Sequence, residues 1–143
     1  MQRLLLKWQT ARSLVPSSHI KIRDPESRLG VIFFGTTTHA AYEAIDNLAN
    51  RGVMINSLRL RAFPFQDDVI EFINRHDKIF VIEQNRDGQM RTMLISEGDF
   101  QPDKLLSVVN FDGLPITAAC ITEKIQVLLE RKPQHSRKNG GKA

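Results

Sequence analysis

Four consecutive apolar residues, Ile79-Phe80-Val81-Ile82, run directly into the polar stretch Glu83-Gln84-Asn85-Arg86-Asp87-Gly88-Gln89. A strand with one wet face alternates apolar and polar side chains. An unbroken run between Lys78 and Glu83 instead fits a strand covered on both faces, in the middle of a parallel sheet. Ligands and partners of such sheets meet the carboxyl ends of the strands, where Glu83, Asn85, Arg86 and Asp87 stand. Each of these residues alone also has a plainer use. Asn85 or Asp87 suits the cap of the following helix, and Glu83 with Arg86 suits a surface ion pair.

The same unit recurs along the chain. Val31-Ile32-Phe33-Phe34 is a second apolar strand, closed by Gly35 and followed by Thr36, Thr37, Thr38 and His39. A helix follows with Ala41, Ala44, Ile45 and Leu48 on its apolar face, ending before Gly52. A threonine at its start can accept from the free amides. The same amides suit an anion, although one glycine with threonines is no phosphate-loop motif, and His39 reads as a helix-surface residue.

Residues 53–60 read as the next strand, with Arg59 and Arg61 on one side and Leu58 and Leu60 on the other. After the turn Phe63-Pro64-Phe65, Asp67 and Asp68 open a helix whose last turn holds Arg75 and His76, matching the dipole at both ends. Val69, Phe72 and Ile73 face inward. Met90, Met93 and Leu94 form the buried stripe of another helix, which Gly98 stops. Residues 105–109 are the last strand, and Asn110-Phe111-Asp112-Gly113-Leu114-Pro115 is a polar turn. Thr117 then caps a helix with Ile121, Ile125 and Leu128 inward.

Strands alternating with helices through short turns imply right-handed crossovers. The expected fold class is α/β: a three-layer αβα arrangement with a mostly parallel sheet. The polar turns after each strand then gather on one rim.

At 143 residues, 41% hydrophobic, the chain can bury one core. Its formal charge of +4 is concentrated at the ends. Ten of the twenty basic residues lie in residues 1–23 and 131–143, where there is no acid, leaving ten basic against sixteen acidic residues between them. An acidic body argues against nucleic acid as a partner. The single Cys120 excludes an internal disulfide and cannot by itself hold zinc or an iron-sulfur cluster, so no metal is assigned. No apolar run approaches the ~20 residues of a membrane span, and a cytoplasmic location is the simple expectation. Residues 1–28 read as a connector helix with Leu4, Leu5, Trp8, Ala11 and Arg12 at helical spacing, then a linker in which Ile20 and Ile22 suit a short edge strand. Residues 29–130 form the α/β domain, and residues 131–143 read as a disordered basic tail.

A family resemblance rests on Phe34-Gly35-Thr36, Leu58-Arg59-Leu60-Arg61-Ala62-Phe63-Pro64, the stretch from Val81 to Gln89, and Phe111-Asp112-Gly113-Leu114-Pro115-Ile116-Thr117. In this order and spacing they resemble the C-terminal, transketolase C-terminal-like domain of the alpha subunit of 2-oxoacid:ferredoxin oxidoreductases, the 2-oxoglutarate type in particular. Gln9-Thr10-Ala11-Arg12-Ser13-Leu14-Val15-Pro16 is similar to the helix that joins this domain to the preceding one. The resemblance implies a part in the oxidative decarboxylation of 2-oxoglutarate to succinyl-CoA. Thiamine diphosphate, Mg and an iron-sulfur cluster are then expected on the missing domain and the beta subunit, with coenzyme A and ferredoxin reached through the complex. No Gly-Asp-Gly diphosphate motif occurs in the chain. The expectation is therefore structure and subunit interface without a catalytic residue, inactive in isolation, with a rim of Gly35, Thr36, Thr37, Arg61, Glu83, Asn85, Arg86, Asp87 and Asp112. A stand-alone nucleotide or anion-binding module, and an assembly partner of full-length subunits, are the alternatives.

Overall fold

A computed structural model describes residues 2–131; the expected basic tail lies outside the described residues from 132 onward. The elements run α1 (Gln2–Leu14), β1 (His19–Lys21), β2 (Leu29–Phe34), a 3-10 turn (Gly35–Thr37), α2 (Thr38–Asn50), β3 (Asn56–Leu60), α3 (Asp67–Arg75), β4 (Lys78–Glu83), α4 (Gln89–Gly98), β5 (Leu105–Val109) and α5 (Ala118–Glu130). The sheet order is β1-β3-β2-β4-β5, with β2 to β5 parallel and β1 antiparallel at the edge. The α/β expectation holds.

The unbroken apolar strand lies where its composition places it. β4 sits between β2 and β5, and Ile79 through Ile82 are all 0% exposed. Its side chains divide between two cores. Phe80 and Ile82 join Val31, Phe33, Leu48 and Ile121 under α2 and α5. Ile79 and Val81 join Ile32, Leu58, Phe72 and Leu94 under α3 and α4.

Three local expectations change. Residues 53–55 lie outside β3, because the amide of Val53 is still bonded to the carbonyl of Leu48 and sheet pairing starts only at Asn56, opposite Gly30. Arg61 falls beyond the strand end and is exposed, so it does not share a strand face with Arg59. On α4 only Leu94 is fully buried while Met93 is 39% exposed, so the methionines are not both in the core stripe.

His76 also departs from its expected place. Expected in the last turn of α3 as a match to the helix dipole, it lies just past that helix and is 0% exposed. Its Nδ1 lies 2.7 Å from the Phe72 carbonyl and its Nε2 3.1 Å from Asn56 Nδ2. The carbonyl accepts and the amide donates, which assigns a neutral ring protonated at Nδ1. Asn56 is equally buried and accepts from the amides of Arg23 and Asp24 through Oδ1. This network holds Arg23 and Asp24 against the start of β3. A Cβ on Gly30 would approach Ile79 Cδ1 to 2.6 Å and His76 Cγ to 3.2 Å, so glycine is what lets β2 pass this cluster.

Burial pushes the His76 pKa down, and Arg75, Arg28 and Lys104 add to that. The unfolded state then binds the extra proton first as pH drops. The stability contribution of His76 is full above the unfolded value of about 6.5 and is lost as pH falls through the lower folded value. Thermal melts from pH ~7.5 to ~5.5 are expected to show a falling melting temperature, at a cost of no more than about 1.4 kcal/mol per pH unit for this one group. His76→Gln should flatten that slope. An unchanged slope in the variant would remove His76 as its source.

Candidate functional site

Because β2, β3, β4 and β5 are parallel, their carboxyl ends share one side of the sheet. The turn Gly35–Thr37 and the loops at 61–66, 84–88 and 110–116 meet there. Side chains immediately after β4 organise this rim.

Glu83, the last residue of β4, is 0% exposed. One carboxyl oxygen accepts from the Met90 amide at 2.7 Å and from Asn85 Nδ2 at 2.8 Å; the other accepts from the Arg91 amide at 2.9 Å. Met90 and Arg91 are the second and third residues of α4. A helix start leaves these N–H groups without intrahelical partners and attracts negative charge. Glu83 fills that role from the strand below. The residue before the helix is Gly88, at φ 62° and ψ 45°, with no capping side chain. A glycine suits that left-handed turn. The helix start is thus held by Glu83, and neither Asn85 nor Asp87 caps it.

Asn85 shapes the loop above. Its Oδ1 accepts from the amides of Asp87 at 3.1 Å and Gly88 at 2.8 Å, closing an Asx turn. Arg86 pairs with Asp87 rather than with Glu83, Nε to Oδ1 at 2.8 Å, with both side chains well exposed. Asp112 repeats the Asx device in the next loop, accepting from the Leu114 amide at 3.0 Å and Asn110 Nδ2 at 2.9 Å. Arg61 only approaches the Ser17 carbonyl, at 3.5 Å, toward the β1 side of the rim. Gly35 and Thr36 are exposed while Thr37 is buried. No threonine side chain caps α2. Thr38 Oγ1 instead donates to the Gly35 carbonyl at 2.7 Å, tightening the turn that precedes the helix.

The residue that joins these loops is Gln84, which is not among the rim residues expected from the sequence. Its Nε2 donates to Thr36 Oγ1 at 3.1 Å and Thr37 Oγ1 at 3.2 Å, and its Oε1 accepts from the Ile116 amide at 3.2 Å. One side chain thus spans the turn after β2, the end of β4 and the start of the last helical segment. Strand alternation carried the signal: with Glu83 directed to α4, Gln84 must point to the opposite side. Beside it a depression of about 460 Å³ is lined by Gln84, Asn110, Phe111, Gly113, Leu114 and Pro115. Phe111 is 64% and Leu114 70% exposed, two large apolar side chains presented by a polar, well-bonded loop.

The hydrogen-bond network of the rim contains no serine or cysteine joined to a base, and Cys120 has Asn110 Oδ1 beside it at 3.9 Å. Among the described residues no three of His, Cys, Asp and Glu are grouped to hold a metal ion, and no helix is long and apolar enough to cross a membrane.

Architecture and rim together define an α/β domain of the transketolase C-terminal-like fold. Solved structures share it, among them three of related description. The 2-oxoglutarate:ferredoxin oxidoreductase of Magnetococcus marinus, whose structure holds 2-oxoglutarate, coenzyme A and succinyl-CoA, superposes with a TM-score of 0.73 at 21% identity, over 83% of this chain and 21% of that one. A split-gene transketolase, an inactive beta4 tetramer, gives 0.62 at 16% identity, over 78% of this chain and 41% of that one. The alpha chain of a probable 2-oxoacid ferredoxin oxidoreductase from Thermoplasma acidophilum gives 0.54 at 19% identity, over 80% of this chain and 98% of that one. In sequence, the chain is 27% identical over 109 residues to the alpha subunit of 2-oxoacid:ferredoxin oxidoreductase 2 of Aeropyrum pernix. That match covers 75% of this chain and 17% of the relative's length. No family model matches. The chain is related to a region of a 2-oxoacid:ferredoxin oxidoreductase alpha subunit.

Proposed function

We propose that the chain serves as the C-terminal domain of a 2-oxoacid:ferredoxin oxidoreductase alpha subunit, of the 2-oxoglutarate type, and that its rim is an interface to the thiamine-diphosphate-binding domain and the beta subunit. The observation that carries this reading is the rim itself. Asn85, Asp112 and Gln84 hold its loops by bonds within the chain, yet it presents Arg86, Asp87, Phe111 and Leu114 outward and no nucleophile with a base. Apolar anchors surrounded by satisfied polar groups suit a protein partner. Thiamine diphosphate, Mg and the iron-sulfur cluster belong on this reading to the other domain and subunit, and coenzyme A and ferredoxin are met through the complex. The isolated chain then decarboxylates no 2-oxoacid.

The Magnetococcus marinus enzyme, with its 2-oxoglutarate and succinyl-CoA, supports the choice of substrate. The Thermoplasma acidophilum alpha chain, matched over 98% of its length, supports the assignment to an alpha subunit. The nucleotide or anion module is less favoured at the start of α4, where the amides of Met90 and Arg91 already bind the Glu83 carboxyl group, while the start of α2 behind Gly35–Thr37 carries no side-chain cap. Affinity of the chain for the purified remainder of the complex, compared between wild type and rim variants, tests the proposal.

A further inference from the structure

The two edges of the sheet are finished differently. β1 is a three-residue antiparallel strand, whereas β5 is five residues long, Leu105-Leu106-Ser107-Val108-Val109, rich in strand-forming apolar side chains. The Asn110 amide donates to the Glu83 carbonyl at 2.9 Å, so the even-numbered residues of this segment turn their backbone groups toward β4. Leu105, Ser107 and Val109 therefore turn theirs outward, to an edge that bears no further strand among the described residues. Such an edge is a template for pairing with another chain.

Two cations occupy it. Arg91 Nε donates to the Leu105 carbonyl at 2.5 Å, with Nη2 on the Pro102 carbonyl at 2.8 Å. Lys124 Nζ donates to the Val109 carbonyl at 2.5 Å. Arg91 reaches in from α4 on one face and Lys124 from α5 on the other, and each takes one outward carbonyl at opposite ends of the strand. Ser107, midway between them, is exposed.

We infer that Arg91 and Lys124 are guards that keep the β5 edge from pairing with the β5 edge of a second copy of this chain. The strand is self-complementary. A two-fold axis through Ser107 sets Leu105 opposite Val109 of the other copy and Leu106 opposite Val108, and it offers partner amides to the two carbonyls the guards now hold. Like charge on four guards brought together opposes this pairing while they are present. The inference is independent of the alpha-subunit reading, since it depends only on backbone direction and two side chains.

The test uses the full 143-residue chain and sedimentation velocity, with Arg91→Met and Lys124→Met combined so that the apolar stems remain while the donors go. The double variant is expected to gain a species of twice the mass of the wild-type particle, at a concentration where the wild type shows none. Adding Ser107→Pro should remove that species, because the Ser107 amide points outward and its loss costs no bond to β4. A double variant that keeps the wild-type circular dichroism and sediments like the wild type overturns the inference. So does a heavier species that survives Ser107→Pro. Should Arg91→Met unfold the chain, Lys124→Met with Ser107 intact or replaced by proline gives the same two-way reading.

Discussion

Val81→Asp is expected to yield no folded protein. Val81 is 0% exposed, with β2 on one side, β5 on the other and the α3/α4 core against its side chain. The change removes about 1.5–3 kcal/mol of apolar burial. It also places a carboxyl group where no donor waits, at a further cost of several kcal/mol whether it ionises or takes up a proton. The sum rivals the whole stability of a domain of this size, about 5–15 kcal/mol. Far-UV circular dichroism and a urea titration would show an unfolded or aggregated chain. A cooperative unfolding transition in Val81→Asp would mean that β4 is not the sealed centre described above.

Glu83→Gln and Glu83→Ala are expected to cost more stability than any other rim substitution, although Glu83 ends a strand beside an exposed loop. Three N–H groups converge on its two oxygens. Glutamine replaces one oxygen with a donor that faces donors, leaving at least one amide without a partner, at about 1–3 kcal/mol. Alanine removes all three bonds together with the cap of α4 and should cost about 2–4 kcal/mol. Urea unfolding of both variants checks this. A loss below half a kcal/mol in Glu83→Ala would show that water replaces the carboxyl group without penalty, and the cap role would fall.

How much of this was legible follows from which signals are local. The apolar run at 79–82 and the turn residues Gly35, Asn85, Gly88 and Asp112 declare themselves through composition and backbone preference, and the mostly parallel sheet follows from strands alternating with helices through short turns. Thr117 caps α5 as its position implied, accepting from the Cys120 amide at 3.2 Å. What escaped depends on residues far apart in the chain. His76 looked like a helix-end match to the dipole because nothing near it in sequence announces Asn56, twenty residues earlier. Glu83 looked like half of an ion pair because its amide partners lie seven and eight residues on, across a left-handed glycine. Gln84 carries no special chemistry at all; its weight comes from standing where three segments meet. On α1, the helical spacing of Leu4, Leu5, Trp8, Ala11 and Arg12 does not make a buried stripe, since Leu4 and Trp8 are 71% and 44% exposed. The helix is held by polar bonds, Arg12 to Asp67 at 2.7 Å and Gln66 to the carbonyls of Arg12 and Val15, and by the edge-on contact of Trp8 with Phe63 at 5.4 Å between ring centres.

The claim that the rim holds a neighbouring surface, and makes no bonds of its own, is tested most directly on Arg86. Its pair with Asp87 joins adjacent exposed residues, so Arg86→Ala should change the stability of the domain by less than about 1 kcal/mol. Across an interface the same guanidinium offers a planar fork of donors, and removing it leaves a partner group buried and unpaired. Isothermal titration of the wild-type and Arg86→Ala chains against the purified thiamine-diphosphate-binding domain with its beta subunit reads this difference, with melting temperatures taken on the same samples. The expected result is a binding loss of about 2–5 kcal/mol with the melting temperature nearly unchanged. Equal affinity of the two chains, or no binding by the wild type, would contradict the account.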